Sequence, residues 1–357
     1  MLNGIDSNRE ECYNSATSVE KVRTVHYTEK KNIKQANYMA ARSSEKMNEK
    51  KRHSKLVDFF IRMLKEKPLG TAGGIITLLL VLVAIFAKFL APYGPNQLTG
   101  FALRPPSSQF WLGTDNLGRD LLSRVIYGAR ISVEVGLGAS LLASLVEIIL
   151  GIFSGYLGGT FDLIVQRFVD AVMCFPGLIL MMVVISIVGS GVDRVILVLG
   201  ITWGIGGSRL IRGATMSIKE NTYVQSAIAL GSPTRTILWR HILPNIMAPI
   251  IIQFSVRVPA VILTEASLSF LGFGVPANIP SWGGMLSGSA RTYMFLAPWM
   301  AIWPGLALSF VVWGVNIFGD AMRDLLDPRL KGGIGRYGLK VKTKVTVKGE
   351  PGIISKD

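Results

Sequence analysis

Long apolar runs alternate with short polar segments along this chain, and a span of about 20 largely apolar residues is what a helix needs to cross a bilayer. Six runs meet or approach that length, at roughly 70–91, 133–155, 168–190, 194–213, 246–271 and 294–319. The third and sixth are the cleanest, with no charge between Asp170 and Asp193 or between Arg291 and Asp320. The fourth is the weakest, with 14 uncharged residues between Arg194 and Arg209. Pairs such as Gly70/Gly74 and Gly151/Gly155 suit close approach of helix backbones. The expected fold is therefore all-α, a polytopic bundle of six transmembrane helices.

Polar segments organise the rest. Residues 1–54 are rich in Lys, Glu, Asn and Ser without sustained periodicity, which predicts a disordered cytoplasmic leader. Met39 and Met47 lie inside it as alternative starts to Met1, which an intact-mass measurement would decide. "KLVDFFIRMLKEK" differs: Leu56, Phe59, Phe60, Met63 and Leu64 fall on one helical face, so residues 55–69 are expected to lie on the inner interface. The first span then covers 70–91, an external loop 92–132, a five-span core 133–326, and a basic tail 327–357.

Composition agrees with a membrane protein: half of the 357 residues are hydrophobic and only 17% charged. The net charge of +15 is concentrated in three blocks, +6 in residues 1–67, +4 in 209–240 and +6 from Arg329 onward. Basic segments of that kind mark cytoplasmic loops rather than a nucleic-acid surface. With six spans, both termini and the 209–240 segment fall on the cytoplasmic side. The 92–130 loop opposes this by +2, from Arg104, Arg119, Arg124 and Arg130 against Asp115 and Asp120. Cys12 and Cys174 are too isolated for a disulfide framework or a thiolate metal site.

Catalytic signatures are missing. The sequence holds no nucleotide-binding glycine loop and no His-Glu-x-x-His zinc motif, and its histidines are His26, His53 and His241. Charges inside the spans are the alternative leads. Glu134 is read as interfacial, whereas Glu147, Arg257 and Glu265 lie deeper, as possible pathway groups with Arg257 the partner of one carboxylate.

The sharper lead is "YVQSAIALGSPTRTILWRHILPN", Tyr223–Asn245. Asn221 is placed to cap a helix with Tyr223, Ala227 and Leu230 on one face, and Gly231 to stop it. Ser232 is placed to cap a second helix with Pro233 at its first position. That helix carries Ile237, Leu238, Ile242 and Leu243 on one side and exposes Arg235 and Arg240. Pro244 is expected to end or kink it at the fifth span. Residues 221–245 thus predict a helical hairpin stiffly joined to a spanning helix.

This segment resembles the EAA loop of ABC importer permeases, with Ala227, Gly231, Leu243 and Pro244 matching and Gln225 and Ser226 replacing the usual Glu and Ala. "LGTDNLGRDLLSRVIYGARIS", "LTEASLSFLGFGV", "PSWGGML" and "NIFGDAMRDLLDPRL" are similar to the C-type permease of dipeptide, oligopeptide and nickel importers. The resemblance covers Lys55 to Lys331. It implies a heterodimer with a related B-type permease, two cytoplasmic ATP-binding subunits and an external solute-binding protein. It also implies an ATPase-coupling role for Tyr223, Gln225, Ser226, Ala227, Gly231, Ser232, Pro233, Arg235, Leu243 and Pro244. No cofactor is expected on this chain, since ATP and Mg²⁺ would bind the partners, and no nucleic acid is implied. Peptide is the expected cargo, with nickel or another small solute as the alternative. A channel or an intramembrane enzyme is the competing class.

Overall fold

The computed structural model describes residues 55–326, so the leader, the tail, the choice of start and the end of the last motif lie outside the described residues. Among the described residues all regular structure is helical. The helices are α1 (Lys55–Glu66), α2 (Pro68–Ile85), α3 (Ala87–Leu90), α4 (Leu121–Leu157), α5 (Gly159–Met173), α6 (Gly177–Val188), α7 (Val192–Lys219) and α8 (Thr222–Ala229). Then come α9 (Thr234–Phe270), α10 (Trp282–Leu286), α11 (Ser289–Tyr293) and α12 (Trp299–Leu326).

Five of these, α2, α4, α7, α9 and α12, are long and apolar enough to cross a membrane. A sixth crossing exists only if α5 and α6, bent by 90° at their junction, act as one span. This corrects the third predicted span, which the absence of charge made look cleanest. At 12 residues, α6 reaches only about 18 Å, short of the ~30 Å hydrocarbon core. Pro176 is the cause: it lacks an N–H and pushes Phe175 out of the helical region. Hydropathy does not register that break.

Two other boundaries moved. The second span begins at Leu121, twelve residues before the predicted start, because Asp120 caps it by accepting from Ser123 N at 2.8 Å and Ser123 Oγ at 2.7 Å. Arg124 and Arg130, counted above as loop charges, are therefore helical. The last span is Trp299–Leu326 rather than 294–319. Of the apolar face predicted for the segment before the first span, Met63 is buried but Leu64 is 60% exposed.

Small residues set the packing. A Cβ on Gly151 would lie 2.8 Å from the Ser208 carbonyl oxygen, and one on Gly155 2.8 Å from that of Arg212, so α4 and α7 meet backbone to backbone. Gly70 and Gly74 face Ala321 and Phe318 of α12. Val135, Ala139, Val195, Val198, Leu199, Val261 and Leu268 fill the space between α4, α7 and α9. Lys67 Nζ bonds Asp324 Oδ2 at 2.6 Å, which places the start of α2 beside the end of α12.

Candidate functional site: a coupling hairpin and a cavity wall

The predicted hairpin is α8 followed by the first turns of α9. Its turn is built by two backbone bonds, Ser232 N to Ala227 O at 3.1 Å and Gly231 N to Ile228 O at 2.9 Å. That is the Schellman pattern, which needs a left-handed residue after the helix, and Gly231 has φ +76°. Asn221 and the Ser232–Pro233 pair act differently from expectation. Asn221 stands at the first cap but makes no side-chain capping bond. Pro233, not Ser232, occupies the second cap, so helix begins at Thr234.

Pro244 neither ends nor sharply breaks the second helix. Residues Ile237–Ile242 form a π-helical stretch, after which Leu243–Phe270 continues as α-helix with Pro244 in its first turn. A wider turn relieves the clash between a proline ring and the carbonyl four residues before it, so the helix runs on. The second arm of the hairpin and the fifth span are consequently one helix of 37 residues, about 55 Å long.

Apolar anchoring holds the hairpin to the bundle. Val224, Ile237, Leu238 and Ile242 are buried with Ile152 of α4 and Ile211 of α7, and Tyr156, Ala214 and Ile218 pack around them. Full burial is worth about 1.5–3 kcal/mol per such side chain. The inner residue of α8 is thus Val224, whereas Tyr223 is 45% and Leu230 85% exposed and Ala227 only partly buried. The face shared by Tyr223, Ala227 and Leu230 is thus the outer one. Leu243 is partly buried. Gln225, Ser226, Gly231, Pro233, Arg235, Arg240 and Pro244 lie on the exposed side, and Ser232 is intermediate. Trp239, at 65% exposed, joins them. Tyr223 and His241 bring their rings to 6.3 Å across the hairpin.

The two departures from the EAA pattern have local partners. Gln225 Nε2 donates to the Lys219 carbonyl at 2.9 Å, and Ser226 Oγ donates to that of Thr222 at 2.8 Å. Arg209 and Arg212, counted above in a basic loop, belong to α7 and pair with Asp170 and Asp162 of α5. Arg235 and Arg240 of the hairpin itself are exposed.

Of the deep charges, Glu147 and Arg257 form a buried ion pair, and Arg257 Nη1 also donates to Ser144 Oγ at 3.2 Å. The pair fits because residue 207 is glycine: a Cβ there would overlap Glu147 Oε2. Glu265 is not part of it. Its Oε1 accepts from Ser269 Oγ at 2.7 Å, one turn away. Glu134 is exposed, as its interfacial reading required.

Arg257 also forms part of the wall of a cavity of about 590 Å³, bounded by Phe175 and Gly177 at the α5–α6 break, Trp203 and Gly206 of α7, and Gln253 of α9. One cation thus faces an otherwise largely apolar space beside the broken span, with its counter-charge behind it.

Residues 147–332 match the family described as "Binding-protein-dependent transport system inner membrane component". Residues 57–106 match "N-terminal TM domain of oligopeptide transport permease C". The "Glutathione transport system permease protein GsiD" of Pectobacterium atrosepticum is 40% identical over 276 residues, 77% of this chain and 91% of that protein. Its counterparts in Escherichia coli O157:H7 and Shigella sonnei are 38% identical over 275 residues, 76% of this chain and 90% of theirs. The chain belongs to this permease family.

The permease is thus a multi-pass inner-membrane protein, a non-catalytic ABC importer subunit of the peptide and glutathione group. Three of its other sequence motifs gather at the end opposite the hairpin, whereas the described part of the fourth, Asn316–Leu326, closes α12 beside Lys67. Trp282 Nε1 of "PSWGGML" donates to the Val125 carbonyl at 3.0 Å, and Trp299 Nε1 donates to that of Thr114 at 3.2 Å. Sequence reasoning missed Val224, Trp239 and Gly207. A signal existed for Trp239, which is bulky and apolar yet falls off the Ile237/Leu238/Ile242 face.

Proposed function

We propose that the permease moves small peptides across the cytoplasmic membrane as half of a heterodimer with a related B-type permease, driven by two ATP-binding subunits, one of which seats the 221–245 hairpin. The carrying observation is the hairpin's two-sidedness. Val224, Ile237, Leu238 and Ile242 fasten it to α4 and α7, while Tyr223, Leu230 and Trp239 remain exposed among Arg235 and Arg240. Exposed aromatic and aliphatic groups rimmed by cations are what a partner groove takes up. ATP and Mg²⁺ belong to the partners in this reading, and this chain binds neither. The hairpin end and both termini face the cytoplasm.

Transport then follows from rigid-body motion. A push on the hairpin travels along α9 to Gln253, Val256 and Arg257 at the wall of the 590 Å³ cavity. That cavity is assigned to the substrate path on Arg257 and Gln253 in its wall, since a peptide crossing hydrocarbon needs polar partners. An external binding protein delivers the cargo. Glutathione, named for the relatives, is a small peptide and sets the expected size; nickel is the competing cargo.

The decisive experiment replaces Trp239 by Asp in the complete complex. Co-purification of the ATP-binding subunits is expected to fall at least tenfold with membrane insertion intact, and full retention would remove the hairpin as the docking element. Binding of the external protein to peptides of graded length, glutathione and Ni²⁺ separates the cargoes.

A further inference from the structure

The loop motifs that the coupling reading leaves unused enclose a second cavity. Residues 112–124, Ser190 and 269–288 meet at the end of the bundle opposite the hairpin, around a space of about 500 Å³. That volume lies within the range of about 300–1,000 Å³ typical of small-molecule sites. Asp115, Arg119, Ser190, Ala277, Ser281 and Met300 are among its walls.

Two arginines stand there in different states. Arg124 is buried and occupied: Nη1 donates to the Pro95 carbonyl at 2.9 Å and to Asn96 Oδ1 at 3.3 Å, and Nε lies 3.7 Å from Asp115. Arg124 braces the loop. Arg119 gives only Nε, at 2.7 Å, to Asp115 Oδ2. Its two terminal nitrogens have no protein partner among the described residues. Asp115 is itself fixed, because Oδ1 accepts the N–H groups of Leu117 and Arg119, each at 2.9 Å. The residues of the cup's own wall include two arginines and one carboxylate.

We infer that this cup receives the carboxylate of a small substrate, with Arg119 as the group that binds it. A guanidinium held through Nε presents its terminal nitrogens as a fork that matches a carboxylate and loses little freedom on binding. Arg124, by contrast, spends Nη1 on two acceptors of the loop it braces. The assignment rests on the importer reading and on the orientation that puts this end outside, and it makes the cup the arrival site for a substrate released from the binding protein.

The test uses the complete transporter with its binding protein in proteoliposomes and one peptide whose only carboxylate is C-terminal, supplied as free acid and as amide. Because the binding protein also reads the peptide, each comparison is wild type against variant. Arg119→Gln is expected to lower uptake of the free acid about tenfold at subsaturating peptide, with a loss at least fivefold smaller for the amide. Arg119→Lys, which keeps the charge but not the fork, should fall between. Ala277→Glu, which brings a resident carboxylate to the same wall, should also depress free-acid uptake selectively. Equal losses for acid and amide, no loss, or a loss that tracks weakened docking of the binding protein would each overturn the assignment. If the wild-type complex imports neither peptide, the transport reading fails separately. Calorimetric binding to the purified complex then decides the cup on its own, with acid-over-amide preference expected in wild type and absent in Arg119→Gln, and no preference in wild type overturning it.

Discussion

Removing Glu147 should destabilise the permease far more than its single lost contact suggests. Arg257 is 3% exposed in its side chain and Glu147 is not exposed at all, so Glu147→Ala leaves a guanidinium buried with Ser144 as its remaining partner. Breaking a buried ion pair from one side costs about 3–5 kcal/mol, whereas replacing both members by apolar groups of similar volume is often close to neutral. For a bundle of this size that range corresponds to a loss on the order of 10 °C in melting temperature. The assay is thermal unfolding of the purified complex in detergent for Glu147→Ala, Arg257→Met, and the double variant Glu147→Leu with Arg257→Met. Each single variant should lose heavily and the double should recover most of the loss, a coupling well above the ~0.5 kcal/mol expected of independent sites. Additive losses in the double variant, or an unchanged melting temperature in Glu147→Ala, would refute the claim that the two charges compensate each other inside the bundle. Uptake by the stable double variant then isolates Arg257's part in the cavity from its part in the fold.

Gly231→Leu should insert normally and lose uptake, because a side chain at φ +76° strains the turn by about 1–2 kcal/mol although its Cβ meets nothing within 4 Å; Gly231→Asn, which tolerates that backbone, should retain most uptake. Gln225→Glu should still co-purify with the ATP-binding subunits, since it gives up one exposed bond to the Lys219 carbonyl, worth about 0.5–1.5 kcal/mol; loss of the complex would mean the partner groove is fitted to a neutral side chain. Gly207→Val should resemble Glu147→Ala in thermal unfolding, because the added side chain occupies the space of the Glu147 carboxylate; a wild-type melting curve would show that the notch is not needed.

The apolar runs and the hairpin turn were legible because each rests on a local requirement, span length for the first and a left-handed residue for the second. What escaped depends on information the hydrophobic pattern does not carry. In lipid both the inner and the outer faces of a helix are apolar, so Ile187 at 81% exposed and Val198 at 2% read alike. The break at Pro176 is a matter of hydrogen bonding and sterics, invisible to hydropathy though marked by the Pro-Gly pair itself. The extension of α4 to Leu121 rests on a cap at Asp120 that sits in a polar loop. Both Glu147 and Glu265 offered a counter-charge for Arg257, and only the packing of α4 against α7 at Gly207 selected the first. On α8, Tyr223 and Val224 are adjacent, and the face that turned inward was decided by Ile152 and Ile211, far away in sequence.

The continuity of α9 would let a push travel in either direction along it. One helix carries the second arm of the hairpin at one end, Arg257 at the 590 Å³ cavity and Ser269 at the cup of the other end. A tilt of about 5° over its ~55 Å would move the far end by about 5 Å. Pro249 and Pro259, each without a backbone donor, are the places where such a rod yields. If nucleotide state at one end changes affinity for cargo at the other, equilibrium linkage requires cargo to change nucleotide affinity by the same factor. An occupied cup would then tighten or loosen nucleotide binding on the partner subunits at the other end of α9, through a chain that itself holds no nucleotide.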